Sequence, residues 1–382
     1  MRDKTFLMIP GPTPVPENVL QALAKHPMGH RSSEFSAIFK EVTDDLKWVA
    51  QTQNDFFILG ASGTGAMECA IANTVSTGDK VLSLVIGNFG KRWAQLAKTY
   101  GGVVEEMNVA WGEAIDPKAL EARLAQDSAK EIKIVTVTHN ETSTGVTNDL
   151  ESIAKIVKAH GALIIVDAVT SMGVMNLPVD AWKIDVAVSG SQKGFMIPPG
   201  LAFITVSKDA WAKYETNKNP KFYWDWKKYK KACEDNSTPF TGSVSLVVAL
   251  QASLKMMREE GIENVFARHI KLRDGLRAGC KAVGLKLMAA DKDASAAITS
   301  IWPPEGISVG DIRKGLKNNF DIVVADGQDD FKGKIFRIGH LGFFSQRDLL
   351  MTMASLEIVL HKLGHKFELG SGVAAMQKEF IK

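Results

Sequence analysis

The sequence predicts an α/β protein: a mostly parallel sheet covered by helices on both faces, with a smaller α+β part toward the C-terminus. Three observations predict it. Short, almost wholly apolar runs recur through the first half, each followed by a glycine-rich or polar turn and then an amphipathic stretch. After about residue 245 this rhythm gives way to one long helical region and then to shorter strands and helices. The chain of 382 residues, 45% apolar and 23% charged, can bury a large core and is too long for one ordinary small domain. The chain divides accordingly into an extended segment 1–20, a large domain 21–260 and a small domain 261–382.

The elements follow in order. "PGPTPVP" is extended, because proline fixes φ and biases the residue before it away from helix. From Glu17, apolar Val19, Leu20, Leu23 and Ala24 take helical spacing. "DFFIL" is a strand, then a glycine turn, then a helix opening near Ala66 in "AMECAIANTV". "KVLSLVI" leads to "KRWAQLAKTYG", and "EIKIVTVTH" leads through a polar loop to "DLESIAKIVKAHG". The strands "ALIIVDAV", "IDVAVSG" and "GLAFITV" complete the pattern. The stretch from "SLVVALQASLKMMREEG" to "LRAGCKAVG" then predicts a long helical region.

Charge and composition exclude several function classes. A formal net charge of +3, spread without lysine or arginine blocks, gives no face for nucleic acid. Cys69, Cys233 and Cys280 are too few and too scattered for a disulfide framework or for a zinc or iron–sulfur site, which points to a reducing compartment. No signal-peptide core, membrane-spanning run or peroxisomal tripeptide is expected, so a cytoplasmic protein with no membrane partner is the default. His361 and His365 have metal-compatible spacing, but with no third ligand nearby they fit an exposed helix face. "FYWDWKKYKK" fits a covering loop better than an RNA site.

Ligands of such sheets sit beyond the carboxyl ends of the strands, and four segments there can carry chemistry. "GASGTGAMECA" offers small residues and a helix start, suited to a phosphate or simply to a tight turn. Glu68 breaks the dinucleotide fingerprint. Asp167 closes "LIIVD", either as a strand-end cap or as a partner for a buried cation. Lys193 lies between two apolar runs, either as a turn residue or as a desolvated amine that attacks carbonyls. Arg337, inside the strand-like "KIFRIG", needs a partner such as a substrate carboxylate.

Together with "MIPGPTPVP", "HNETSTGVTND", "VDAVTSMG", "SGSQKG", "FRIGHLG" and "GSGVAA", these segments resemble the class V aminotransferases, fold-type I enzymes of pyridoxal 5'-phosphate (PLP). The likeness runs along nearly the whole chain and is greatest to serine/alanine–glyoxylate aminotransferases of plant and cyanobacterial type. It implies a seven-stranded sheet in the large domain. It implies that Lys193 carries the cofactor and that Asp167 pairs with its ring nitrogen. Val169 and Phe89 would pack on the ring, and Thr64, Gly65, Ala66 and Gln192 would hold the phosphate. Thr142 would sit near the ring oxygen and the substrate, while Arg337 with the Pro10–Gly11 backbone would take the substrate carboxylate. The likeness further implies a homodimer with shared sites, in which Thr241 and Thr238 reach the neighbour's phosphate and His30 and Arg31 its amino donor. Thr238 and His30 stand where relatives carry aromatic residues. The implied reaction moves the amino group of serine or alanine to glyoxylate. A cysteine desulfurase-like enzyme, another small-amino-acid aminotransferase and an NAD-dependent oxidoreductase are the alternatives.

Overall fold

The structure, a computed structural model, describes residues 5–382. Seven strands form the main sheet in the spatial order Asp55–Leu59, Ala202–Val206, Val186–Gly190, Leu163–Asp167, Ile132–Thr138, Lys80–Val85 and Val103–Asn108. All neighbours are parallel except Ala202–Val206, which runs against both of its partners. Side-chain alternation explains why the central strands are apolar on both faces. In Leu163–Asp167, Ile164 and Val166 enter one core with the helices Ser33–Val49 and Val244–Glu260. Leu163 and Ile165 enter the opposite core with the helix Gly63–Thr74.

Val103–Asn108 breaks the apolar rule because it is the sheet edge. Val103 is exposed, and Glu105 and Glu106 pair with Arg123 and Lys98. The expected covering loop "FYWDWKKYKK" is corrected: its second half begins the helix Trp226–Glu234, capped by Asp225. Trp226 and Tyr229 face inward, and the intervening lysines face out. The long helical region is two helices, Val244–Glu260 and Ile262–Ala282, separated by Gly261 at a φ of +83°. His365 lies beyond the end of the helix Gln346–Lys362 and bonds Val283 O through Nε2 at 2.7 Å, so it shares no helix face with His361. Among the described residues no group of three or more His, Cys, Asp or Glu could hold a metal, and no helix is long and apolar enough to cross a membrane.

A second, four-stranded sheet has the order Phe6–Met8, Ile322–Asp326, Phe336–Gly339 and Ile298–Ile301. The N-terminal strand thus pairs, in parallel, with a strand more than three hundred residues away in sequence. Just after it, the chain passes between the two sheets. A Cβ on Gly339 would stand 2.2 Å from Ile9 O, so the close approach of this crossing requires glycine there.

Phe203 links one core across the sheet: its ring lies 4.8 Å from Phe195 and 6.4 Å from Phe56 by centroid distance, and it is fully buried. Phe203→Ala should cost about 3–5 kcal/mol, seen as a lower urea midpoint, with a smaller loss for Phe203→Leu.

Candidate active site

The site forms where the parallel strands end. Asp167 is the last residue of its strand and is buried. Its Oδ1 accepts the Val169 N–H at 2.8 Å, which turns the chain so that Val169 also faces the cavity. Burial pushes the Asp167 carboxyl up to about 7, against the lowering effect of that hydrogen bond.

Lys193 follows the adjacent strand Val186–Gly190. Its loop is pinned by Ser191, whose Oγ donates to Pro198 O at 2.8 Å and accepts Leu201 N–H at 3.2 Å. Thr13 pins it from the crossing segment, donating through Oγ1 to Lys193 O at 3.0 Å. The amine donates to Pro10 O at 2.7 Å. Lys193 forms part of the cavity wall and keeps only partial exposure. Burial lowers its pKa to about 8; the Arg337 charge adds to this and the Asp167 charge opposes it. A lysine at this seam is therefore largely a neutral nucleophile at mildly alkaline pH.

The cavity, of about 210 Å³, brings together Thr64, Phe89, Thr142, Asp167, Val169, Gln192 and Lys193. Gly65 and Ala66 do not line it. The helix expected to open near Ala66 opens at Gly63, capped by Ser62, whose Oγ accepts Gly65 N–H. Ala66 N–H already bonds Ser62 O at 3.2 Å, and Ala66 is buried. Ser62 and Gly63 stand at the wall instead. This is an anion-favouring helix start with its dipole pointing at the cavity.

Arg337 is buried in the second sheet. Nε donates to Asp326 O at 2.8 Å and Nη1 to Thr142 O at 2.7 Å, with Gln328 Oε1 at 3.4 Å. Burial lowers its pKa to about 10, and the Glu141 and Asp326 charges resist that shift. It remains a cation at any ordinary pH. Gly11, at a φ of +139°, lies against the amine: a Cβ there would be 2.6 Å from Lys193 Nζ.

Four predicted residues lie elsewhere in this chain. Arg31 Nη1 donates to Ser237 Oγ and to Thr238 O, each at 2.7 Å, and Thr238 Oγ1 donates to Phe240 O. His30, Arg31, Thr238 and Thr241 form no part of the cavity wall; nor do Gly11 and Arg337, which stand behind it against Lys193 and Thr142. Other cavity residues went unassigned in the sequence. Arg92 donates to Thr64 Oγ1 at 2.9 Å and lies 4.7 Å from the Phe89 ring centre. Asn140 donates to Thr170 Oγ1 at 2.8 Å. Spacing could have pointed to Arg92, because it stands three residues after Phe89 on one helix.

The residues present fit PLP. A helix start suits its phosphate, an acid stands at a strand end, and an amine lies near it. Gln192 Oε1, on the same wall, is buried without any partner among the described residues, a polar atom left for a ligand to satisfy. This fold and site define a fold-type I PLP enzyme. More narrowly, the chain belongs to the class V aminotransferase family, whose model matches residues 5–331. It is 53% identical to the soluble hydrogenase 42 kDa subunit of Anabaena cylindrica over the full length of both chains. It is 38% identical to the L-aspartate–glyoxylate aminotransferase of Paracoccus denitrificans, over 100% of this chain and 97% of that one. With the serine–glyoxylate aminotransferase of Methylorubrum extorquens the identity is 37%, covering 97% and 95%. The crystal structure of ureidoglycine–glyoxylate aminotransferase from Bacillus subtilis superposes with a TM-score of 0.94 at 29% identity, covering 100% and 99%.

Two outcomes follow from the amine's setting. Because only the neutral amine captures an aldehyde, PLP uptake by apoprotein should accelerate with rising pH, with a midpoint near 8 set by Lys193. Stopped-flow absorbance checks this, and a rate still climbing at the ordinary lysine range would contradict it. Gly11→Ala should displace the amine and slow PLP capture by roughly tenfold or more, about the loss of one hydrogen bond, and should lower the melting temperature as well, because alanine is strained at this φ of +139°.

Proposed function

We propose that this protein transfers the amino group of serine or alanine to glyoxylate, giving glycine and hydroxypyruvate or pyruvate. The observation that carries this reading is a desolvated amine, Lys193, and a buried acid, Asp167, on the wall of one strand-end cavity, with the buried cation Arg337 behind that wall and bonded to the carbonyl of Thr142. The named activities of relatives support glyoxylate as acceptor.

When bound, PLP supplies an electron sink for the bond broken at the substrate α-carbon. The chain's own residues do the rest. Arg337 holds the α-carboxylate by charge-assisted hydrogen bonds and so fixes the orientation of the α-carbon. Lys193, freed by the incoming amino group, would take the α-proton as general base and, as general acid, deliver it to the carbon that was the cofactor's aldehyde. Asp167 keeps a proton on the ring nitrogen, and the negative charge this needs is stabilised by that pairing. Val169 and Phe89 cover the ring and exclude water. Ser62, Gly63, Thr64 and Gln192 receive the phosphate. The same steps in reverse load glyoxylate.

We also read the active unit as a homodimer in which His30, Arg31, Thr238 and Thr241 complete the neighbour's site. In support, Arg31 ties its own segment to Ser237 and Thr238, and all four residues stand outside the cavity of their own chain. The desulfurase alternative needs a reactive thiol. Burial pushes Cys69 and Cys280 up to about 12 and Cys233 up to about 11, so none is a nucleophile at neutral pH. The same scattered cysteines give no support for hydrogenase chemistry in this chain.

Lys193→Ala should abolish turnover and the visible absorbance of the lysine-bound cofactor while the protein stays folded; turnover at the wild-type rate would overturn the assignment. The ratio of kcat/KM for serine, alanine and aspartate with glyoxylate tests the donor, and a dominant aspartate activity would replace this reading. Sedimentation should show a dimer.

A further inference from the structure

Glu141 has no part in the reaction as described, yet it is fully buried beside the cavity and forms no ion pair among the described residues. Its carboxylate accepts four hydrogen bonds. Oε2 takes the N–H groups of Phe89 at 3.0 Å and Gly90 at 3.2 Å. Oε1 takes the Ser143 N–H at 3.1 Å and the Ser143 hydroxyl at 2.5 Å. Ser143 Oγ in turn accepts the Asn88 N–H at 3.0 Å.

These contacts form a helix cap supplied from another part of the chain. The helix Asn88–Thr99 has Gly87 at its N-cap, with no side chain of its own to satisfy the first amides. Gly87 is glycine because the cap fills that space: a Cβ would stand 2.4 Å from Ser143 Oγ and 2.6 Å from Glu141 Cγ. A helix needing only a stable start would be served by serine or aspartate at position 87. Here the first turn is instead tied to the segment whose next residue, Thr142, lines the cavity and has its carbonyl held by Arg337. Phe89, bonded by Glu141, lines the same cavity.

We propose that Glu141 is a positioning residue that locks Phe89 in register with the Thr142–Arg337 contact, so that the ring cover and the carboxylate site are set by one buried carboxylate. This rests on the reading of Phe89 as the residue covering the cofactor ring. The geometry demands a carboxylate in particular. An amide at position 141 would have to turn its NH₂ either toward the Phe89 and Gly90 N–H groups or toward the Ser143 N–H, setting donor against donor.

The test is an equilibrium titration of PLP into apoprotein in a double-mutant cycle of Glu141→Gln and Phe89→Ala. Glu141→Gln should weaken PLP binding roughly 10- to 100-fold, the size of a lost hydrogen bond to a charged group. In the Phe89→Ala background the same change should weaken it less than about twofold, because the residue it acts through is gone. In turnover, Glu141→Gln should also raise KM for the amino donor. A helix cap with only a structural role would lower the apoprotein's melting temperature equally in both backgrounds and leave PLP affinity alone. That result, or an equal PLP penalty in both backgrounds, overturns the proposal. If Phe89→Ala alone leaves PLP affinity unchanged, the ring-cover reading itself has failed, and the proposal with it. Should Glu141→Gln not fold by circular dichroism, Ser143→Ala takes its place. That variant removes the Asn88 acceptor and one Glu141 donor, and should show the same pattern with a smaller penalty; no penalty, or one that persists without Phe89, overturns the proposal.

Discussion

The bond from the Lys193 amine to the carbonyl of Pro10 is the contact on which the rest of the site depends. It joins the loop after a central strand of the large sheet to the segment that crosses from the second sheet. Gly11 leaves room for the amine, and Thr13 holds the carbonyl of Lys193 from the same crossing segment. Gly342, just past the last strand of the second sheet, approaches that carbonyl too: a Cβ on it would stand 2.9 Å away. A charged lysine in this seam would be costly, so burial shifts the balance toward the neutral amine. Packing of the two sheets and reactivity of the amine are thus one constraint.

The charges around this seam are arranged so that they moderate one another. Asp167 and Arg337 act on Lys193 in opposite senses, and Glu141 raises both Arg337 and Asp167, favouring the charged guanidinium and the protonated carboxyl. Buried groups of both signs at one site make each protonation state depend on its neighbours. A ligand bearing an anionic phosphate, a ring proton and a carboxylate would meet a helix start, an acid and a cation there.

What could be read from the sequence tracks where local pattern reports burial. The central strands were legible because both faces are covered, so the runs "LIIV" and "VAV" are apolar throughout. Asp167 and Lys193 were legible because they interrupt such runs at their ends. Val103–Asn108 was not visible in the pattern, since an edge strand with ion pairs on one side carries no apolar signature. The helix start at Gly63 was missed by three residues because "GASGTGA" has small residues but no periodicity. Glu141 was hidden for a deeper reason. Its importance comes from Phe89 and Gly90, some fifty positions away, and nothing local marks a glutamate as buried.

The same distinction bears on substrate choice. The residues proposed for the steps common to all amino acids lie on the strand-end cavity wall or directly behind it. His30 and Arg31 lie outside that cavity, on a unit fastened to Ser237 and Thr238. Among the described residues Arg31 spends one nitrogen, Nη1, on both of its hydrogen bonds, so the guanidinium is oriented without being saturated there. An oriented, incompletely bonded guanidinium suits a hydroxyl or a carboxylate, and relatives of nearly equal identity are named for serine and for aspartate. On the proposed dimer, donor preference would turn on how this unit meets the second chain, a geometry the strand-end cavity leaves open.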